Sequence, residues 1–210
     1  AVTSSPLWAG SGTVIVTGGL GGLGIVTAEA LVDMGAKCVV LTSRSGKIKY
    51  DGQGLDVRLE ELRGSGAMIV LERCDAGDEK QVQKMLERVR KKHGPIRGVV
   101  HAAGVLSDAM ILNQNDKSMR HVFVPKAGGA WYLHRHTLID PLDVFIVFSS
   151  IAGVFGNPGQ GNYAAANAAM DELVRWRVAQ GLCGTSAQWP AVAGVGMAAV
   201  MDVRVKIDDA

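Results

Sequence analysis

The segment "VFSSIAGVFGNPGQGNYAAAN" (147–167) sets two adjacent serines, Ser149 and Ser150, at the end of an apolar run. Tyr163 follows Ser150 by thirteen positions, and Asn167 follows Tyr163 by four. Hydroxyls, a phenol and an amide this close in the chain could move a proton. The same residues could also be a strand-end cap and a helix start. The elements that carry them must decide between the two.

A second chemical feature lies far upstream. "VTGGLGGLG" (16–24) follows the strand-like run "TVIVT" and opens a helical segment. Glycines there let backbone approach a ligand, and the helix start offers free N–H groups to a pyrophosphate. A tight, closely packed turn is the plainer alternative. At the end of the next strand-like run an acid would hold an adenosine 2′-hydroxyl. This chain instead reads "TSRSG", with Ser43 and with Arg44 twenty positions after Gly24. A hydroxyl and a fork-shaped cation suit a 2′-phosphate, which favours NADPH over NADH. Arg44 as a surface residue is the bland reading. In "RCDAGD" (73–78), after Cys74, Asp75 could accept from an adenine amino group or cap the helix that follows. The small residues of "HAAG", Ala102, Ala103 and Gly104, would let a cofactor lie on the sheet edge, and His101 reads as structural. His134 and His136 are two apart on a helical segment and face different ways, so no metal site is expected.

The elements needed to position these residues are legible. Strands are expected at 13–17, 38–43, 67–74, 96–103, 143–150 and 183–189. Helices are expected at 25–36, 53–66, 78–94 and 162–181, with a mostly helical stretch at 106–139 interrupted near Pro125. Val82, Met85, Leu86 and Val89 form one apolar stripe. "RVRKKHG" (88–94) reads as a solvated helix end. Alternating strands and helices imply an α/β fold, a doubly wound parallel sheet with helices on both faces. The tail 190–210 has little periodicity and reads as loop or lid.

Composition limits the classes of function. The chain has 210 residues, 48% of them hydrophobic and 20% charged, which suits one globular domain. A formal net charge of +2 gives no reason to expect nucleic acid or an acidic membrane as partner. Cys38, Cys74 and Cys183 are scattered, so neither a disulfide framework nor a zinc site is expected, and a reducing compartment is. No secretory signal or membrane span is legible, and both ends look cut from something longer.

"TGGLGGLG", "HAAG", "FSSIAG" and "GQGNYAAANAAMDEL" together resemble the short-chain dehydrogenase/reductase superfamily. More narrowly they resemble the catalytic half of a ketoreductase domain of a type I polyketide synthase or an animal-type fatty acid synthase. The resemblance runs from about Gly12 to Trp189 and implies a Rossmann-like fold. It implies Tyr163 as acid and Ser150 as the serine that positions the substrate carbonyl. Most short-chain reductases carry a lysine four positions after the tyrosine, where this chain has Asn167. In the ketoreductase branch the lysine comes from the preceding helical region, and Lys126 in "VFVPKAGGAW" matches it. Lys126 would favour ionisation of the tyrosine, whose unperturbed pKa is about 10, and could hold the nicotinamide ribose. Asn167 would serve a proton relay.

The resemblance also implies NADPH contacts at Gly18, Gly19, Leu20, Gly21, Gly22, Leu23, Gly24, Ser43, Arg44, Cys74, Asp75, Ala102, Ala103, Gly104, Lys126 and Tyr163. Leu106-Ser107-Asp108 resembles the Leu-Asp-Asp motif of ketoreductases giving a D-hydroxyl. Phe155 stands where those of opposite type often carry tryptophan. The implied reaction is NADPH-dependent reduction of the 3-keto group of an acyl thioester on the phosphopantetheine arm of an acyl carrier protein. The partners would be that carrier and other domains of a synthase in the cytoplasm or in an organelle of fatty acid or polyketide synthesis. The implied layout is a linker at 1–12, an NADP-binding catalytic domain at 13–189 and a partial lid at 190–210. The family's companion subdomain is not seen before the glycine run, and Trp189-Pro190 stands where Trp-Gly is common. A stand-alone carbonyl reductase and a non-catalytic module with the same fold are the rival readings.

Overall fold

The structure is a computed structural model, and it describes residues 12–197 and 199. Six parallel strands run in the order β3-β2-β1-β4-β5-β6. They are β1 (Thr13–Thr17), β2 (Cys38–Ser43), β3 (Met68–Arg73), β4 (Ile96–His101), β5 (Val144–Ser150) and β6 (Thr185–Trp189). The chain order reverses between β1 and β4, and a crevice at such a switch point is where open α/β sheets bind ligands.

Alternation along the strands separates two apolar layers. Val14, Val16, Val39 and Leu41 pack on α1 (Gly22–Asp33) and α2 (Leu55–Gly64) through Ile25, Ala28, Leu31, Leu55, Leu59 and Leu62. Ile15, Val40, Val99 and Phe145 pack the other way, on α3 (Glu79–His93), α5 (Gly129–His136) and α7 (Gly161–Ala179). The α3 stripe Val82, Met85, Leu86, Val89 is fully buried, as its period requires. Thus the doubly wound, three-layer, Rossmann-like α/β fold is present.

The stretch 106–139 is less helical than its sequence suggests. Residues 105–110 are irregular, Ile111–Asn113 is a single 3₁₀ turn, and the regular helix α4 starts only at Asp116 (Asp116–Phe123). Asn115 caps α4 by accepting from the Ser118 N–H at 3.0 Å. Pro125 then falls in a π-helical turn, Val124–Gly128, which leads directly into α5. A short helix, α6 (Ala152–Phe155), follows β5. The basic end of α3 is not wholly solvated. Arg90 reaches across to the Asp140 carboxylate at 2.7 and 2.9 Å and to the His136 carbonyl at 2.5 Å. Most of the linker at 1–12, and the tail beyond Met197 apart from Ala199, lie outside the described residues.

Candidate active site

Two adjoining cavities open at the C-terminal ends of β1, β4 and β5. The first measures about 530 Å³ and is floored by the glycine loop. The second measures about 400 Å³ and is walled by Ser149, Ser150, Tyr163, Phe148 and Trp189. Leu23, Ala102, Gly104 and Met197 line both, so one elongated ligand could span them.

The glycine loop is shaped for close approach. Gly18 has φ 67°, and a Cβ there would sit 2.7 Å from the Ala102 carbonyl oxygen. A Cβ on Gly24 would lie 2.3 Å from the Gly18 oxygen. Among the described residues no side chain caps α1, and no acid occupies its first turn, so its N–H groups and positive dipole end suit an anion. Five of the six other loop positions expected at the cofactor line the first cavity with Gly18: Leu20, Gly21, Gly22, Leu23 and Gly24. Gly19 does not. Its missing Cβ instead lets the loop lie on Val16 and Leu41. Ser43, Arg44, Cys74, Asp75, Ala102, Ala103 and Gly104 all line this cavity. Asp75 does not cap α3, which Asp78 does by accepting from the Gln81 N–H. The Asp75 Oδ1 accepts from Gly77 N–H at 2.9 Å. This cradle, with its uncapped helix start and cationic rim, fits a dinucleotide.

Lys126 is delivered by the π turn, a common device for aiming a functional side chain. It is 3% exposed. Its ammonium donates to the Phe148 carbonyl at 3.1 Å and lies 5.0 Å from the Tyr163 ring centroid. Burial pushes its pKa down to about 8, and Asp171 opposes that shift. Asp171 is itself fixed by Ser186 at 2.5 Å and Gln188 at 2.8 Å, which ties β6 to α7.

His101, read as structural, holds Lys126 from behind. Its Nε2 faces the Lys126 carbonyl at 2.9 Å and its Nδ1 faces Thr17 Oγ1 at 2.6 Å. A carbonyl only accepts, so Nε2 carries the proton and Thr17 donates to Nδ1. The imidazole is fully buried and neutral, its pKa pushed down by burial to about 4. The unfolded chain therefore binds more protons than the native one between about pH 4 and 6.5. Stability from this group is complete above the unfolded value and is lost as pH falls toward 4. His101→Gln is expected to flatten acid destabilisation over that window by about 3 kcal/mol, read from urea midpoints against pH.

Of the two serines, the geometry separates roles. Ser149 Oγ donates to the Asn167 carbonyl at 3.4 Å. Ser150 Oγ accepts from the Ala152 N–H at 3.2 Å, which leaves its own O–H to donate into the cavity. Tyr163 is held by Asn162, whose Oδ1 accepts from the Tyr163 N–H at 2.8 Å. The Asn162 amide also donates to the Ser107 carbonyl at 2.8 Å, joining the 105–110 loop to the start of α7. Burial raises the Tyr163 pKa, with the Asn167 and Ser150 side chains pulling it down and Asp108 adding to the rise. Lys126, expected to lower it, is not among these causes; removal from water is the largest. Asn167 donates to the Tyr163 backbone carbonyl at 2.8 Å, and its buried Oδ1 has no partner among the described residues.

Leu106 and Phe155 line the second cavity. Asp108 does not. It accepts from Gln160 Nε2 at 2.9 Å, and Gln160 does line the cavity. His134 meets the buried Arg177 at 2.5 Å and His136 meets Glu79 at 3.1 Å, so the two histidines do face apart. Lys47, Lys49, Tyr50, Asn162, Gln160, Gly196 and Met197 were not legible as site residues. The described part of the tail folds over the glycine loop, with Gln53 bonded to both Gly196 N–H and carbonyl at 2.8 and 3.2 Å.

The KR domain family model matches residues 12–194. The chain belongs to the KR domain family. This KR domain is 42% identical over 187 residues to a mycocerosic acid synthase-like polyketide synthase of Mycobacterium tuberculosis, covering 89% of the chain and 9% of that protein. It is 42% identical over 204 residues to the spectinabilin polyketide synthase system protein NorB of Streptomyces orinoci, covering 96% and 9%. The KR domain thus spans about a tenth of those relatives' length. Among solved structures it is similar to the PlmKR1 ketoreductase from the first module of phoslactomycin biosynthesis in Streptomyces sp. HK803. That match has TM-score 0.84 and 36% identity, covering 95% of this chain and 46% of the other. An A-type ketoreductase of a modular polyketide synthase gives TM-score 0.83 at 36% identity, covering 94% and 41%. Among the described residues no helix is long and apolar enough to cross a membrane.

Proposed function

We propose that this KR domain reduces the 3-keto group of an acyl thioester to a hydroxyl, using NADPH. The observation that carries the reading is Ser150, Tyr163 and Lys126 meeting in a cavity that adjoins the glycine-floored one. NADPH, when bound, supplies the hydride to the ketone carbon. Everything else falls to the chain. Ser150 O–H and the Tyr163 phenol hold the ketone oxygen, which gains negative charge as its carbon is reduced. Tyr163 gives that oxygen its proton. An acid must hold its proton beforehand, and the raised pKa ensures that. The phenolate left behind faces the Lys126 ammonium, which stabilises it. Asn167 Oδ1, buried and without a partner among the described residues, suits a relay that restores the proton. Phe148, Trp189 and Phe155 keep the site apolar, which strengthens these interactions.

Residues 13–189 are the NADP-binding catalytic unit in this reading, with the segment from Pro190 as its lid. The substrate rides on the phosphopantetheine arm of an acyl carrier protein, and the other partners are further domains of the same synthase in the cytoplasm. The polyketide synthase relatives support that placement. The product is the D-hydroxyl thioester. Asp108 supports this, since it holds Gln160, which lines the second cavity together with Phe155. Incubation with a 3-ketoacyl N-acetylcysteamine thioester and NADPH, followed by chiral chromatography, is expected to give mainly the D product. A dominant L product would overturn the stereochemical assignment, and no reduction would overturn the activity.

A further inference from the structure

The loop between β2 and α2 carries a cation that the Ser43-Arg44 reading does not use. Lys49 is pinned by its backbone N–H to the Leu20 carbonyl of the glycine loop at 3.0 Å. Its side chain runs to the opposite wall, where the ammonium points at the Gly104 carbonyl at 3.5 Å, the long limit of a hydrogen bond. It lies 4.9 Å from the centroid of the Tyr50 ring, and Tyr50 packs against Gly21. Lys49 therefore extends from the glycine loop to the end of β4, beside the uncapped start of α1.

Arg44, Lys47 and Lys49 all line the first cavity, and among the described residues none is in an ion pair. The Asp75 carboxylate lining the same cavity is turned to the Gly77 N–H. Partial burial and the neighbouring Arg44 charge push the Lys49 ammonium pKa down. Cations crowded together without a counter-charge favour an anionic occupant. The two outer positions differ. Arg44 follows the end of β2, whereas Lys49 reaches Gly104, a residue shared with the cavity that holds Tyr163. The stretch between them lies over the α1 N-terminus, where a pyrophosphate belongs.

We infer that Lys49 clamps the cofactor's pyrophosphate, the part common to NADPH and NADH, while Arg44 faces the 2′-phosphate found only in NADPH. The inference rests on the nicotinamide-cofactor reading above. It assigns affinity to Lys49 and discrimination to Arg44.

The test is equilibrium binding of NADPH and of NADH, by nucleotide fluorescence, to wild type, Lys49→Met, Lys49→Arg and Arg44→Met. Lys49→Met is expected to weaken both dinucleotides by the same factor, about tenfold, equivalent to about 1.4 kcal/mol. Lys49→Arg is expected to retain most of the affinity, and Arg44→Met to weaken NADPH alone. Unchanged binding of both dinucleotides by Lys49→Met would overturn the inference. So would a loss confined to NADPH, which would make Lys49 a 2′-phosphate ligand. Wild type binding neither dinucleotide would overturn the cofactor reading itself, and the inference with it.

Discussion

Tyr163→Phe is expected to cut turnover of a 3-ketoacyl thioester by about 10²- to 10⁴-fold, the range general acid catalysis supplies. The variant keeps the ring beside which Lys126 sits and removes only the phenol. Its backbone remains held by Asn162, so fold and position survive. NADPH affinity is expected to stay within about twofold of wild type, because the loss is made in the transition state and not in cofactor binding. Stopped-flow decay of NADPH absorbance, paired with a binding titration, separates the two. Equal turnover in the two proteins would remove Tyr163 from the role of acid.

Lys126→Met is expected to separate activity from stability. The charged ammonium is disfavoured in the fold, since burial puts its pKa at about 8, well below the ordinary lysine value of 10.5. Below pH 8 the native state therefore carries the full cost of that charge. As pH rises from about 8 toward 10.5 the unfolded chain holds more protons than the native one, and wild-type stability rises. Methionine fills a similar volume without the charge. The variant is therefore expected to be more stable at neutral pH, by up to about 3 kcal/mol, and to lack that alkaline gain. Its turnover is expected to fall by about 10²-fold or more. In wild type, kcat/KM is expected to drop as pH rises through about 8, and the variant to lose that limb. Thermal melts across pH with parallel rate profiles check both. A less stable variant would show that the hydrogen bond to the Phe148 carbonyl outweighs the desolvation.

Much of this was readable in the chain, because strands and amphipathic helices repeat their pattern locally. The β2 run "CVVLTS" and the α3 stripe depend on neighbours two to four residues away, and both form where their periodicity places them. The segment 105–113 departs from its helical pattern, and there the Asn162 amide bonds the Ser107 carbonyl from 55 residues away. The interruption near Pro125 is a π-helical turn whose Lys126 carbonyl faces the buried His101, another partner distant in the chain. The cavity residues Ser150, Tyr163 and Lys126 were legible through a family pattern, not through spacing in the chain. Asn162 and Gln160 were not. Each acts through a bond to a loop about fifty residues away, at Ser107 and Asp108, and no local pattern encodes such a pairing. Lys49 is similar, since its partners Leu20 and Gly104 come together only when β1, β2 and β4 assemble.

The central claim is hydride delivery from the glycine-floored cavity to a ketone beside Tyr163. The measurement closest to it uses NADPH carrying deuterium at C4, with a 3-ketoacyl N-acetylcysteamine thioester and wild-type protein, read by mass spectrometry. The account predicts one deuterium at C3 of the hydroxyacyl product, transferred from one face of the nicotinamide only. A protein that binds NADPH yet leaves the ketone unlabelled and unreduced would contradict it.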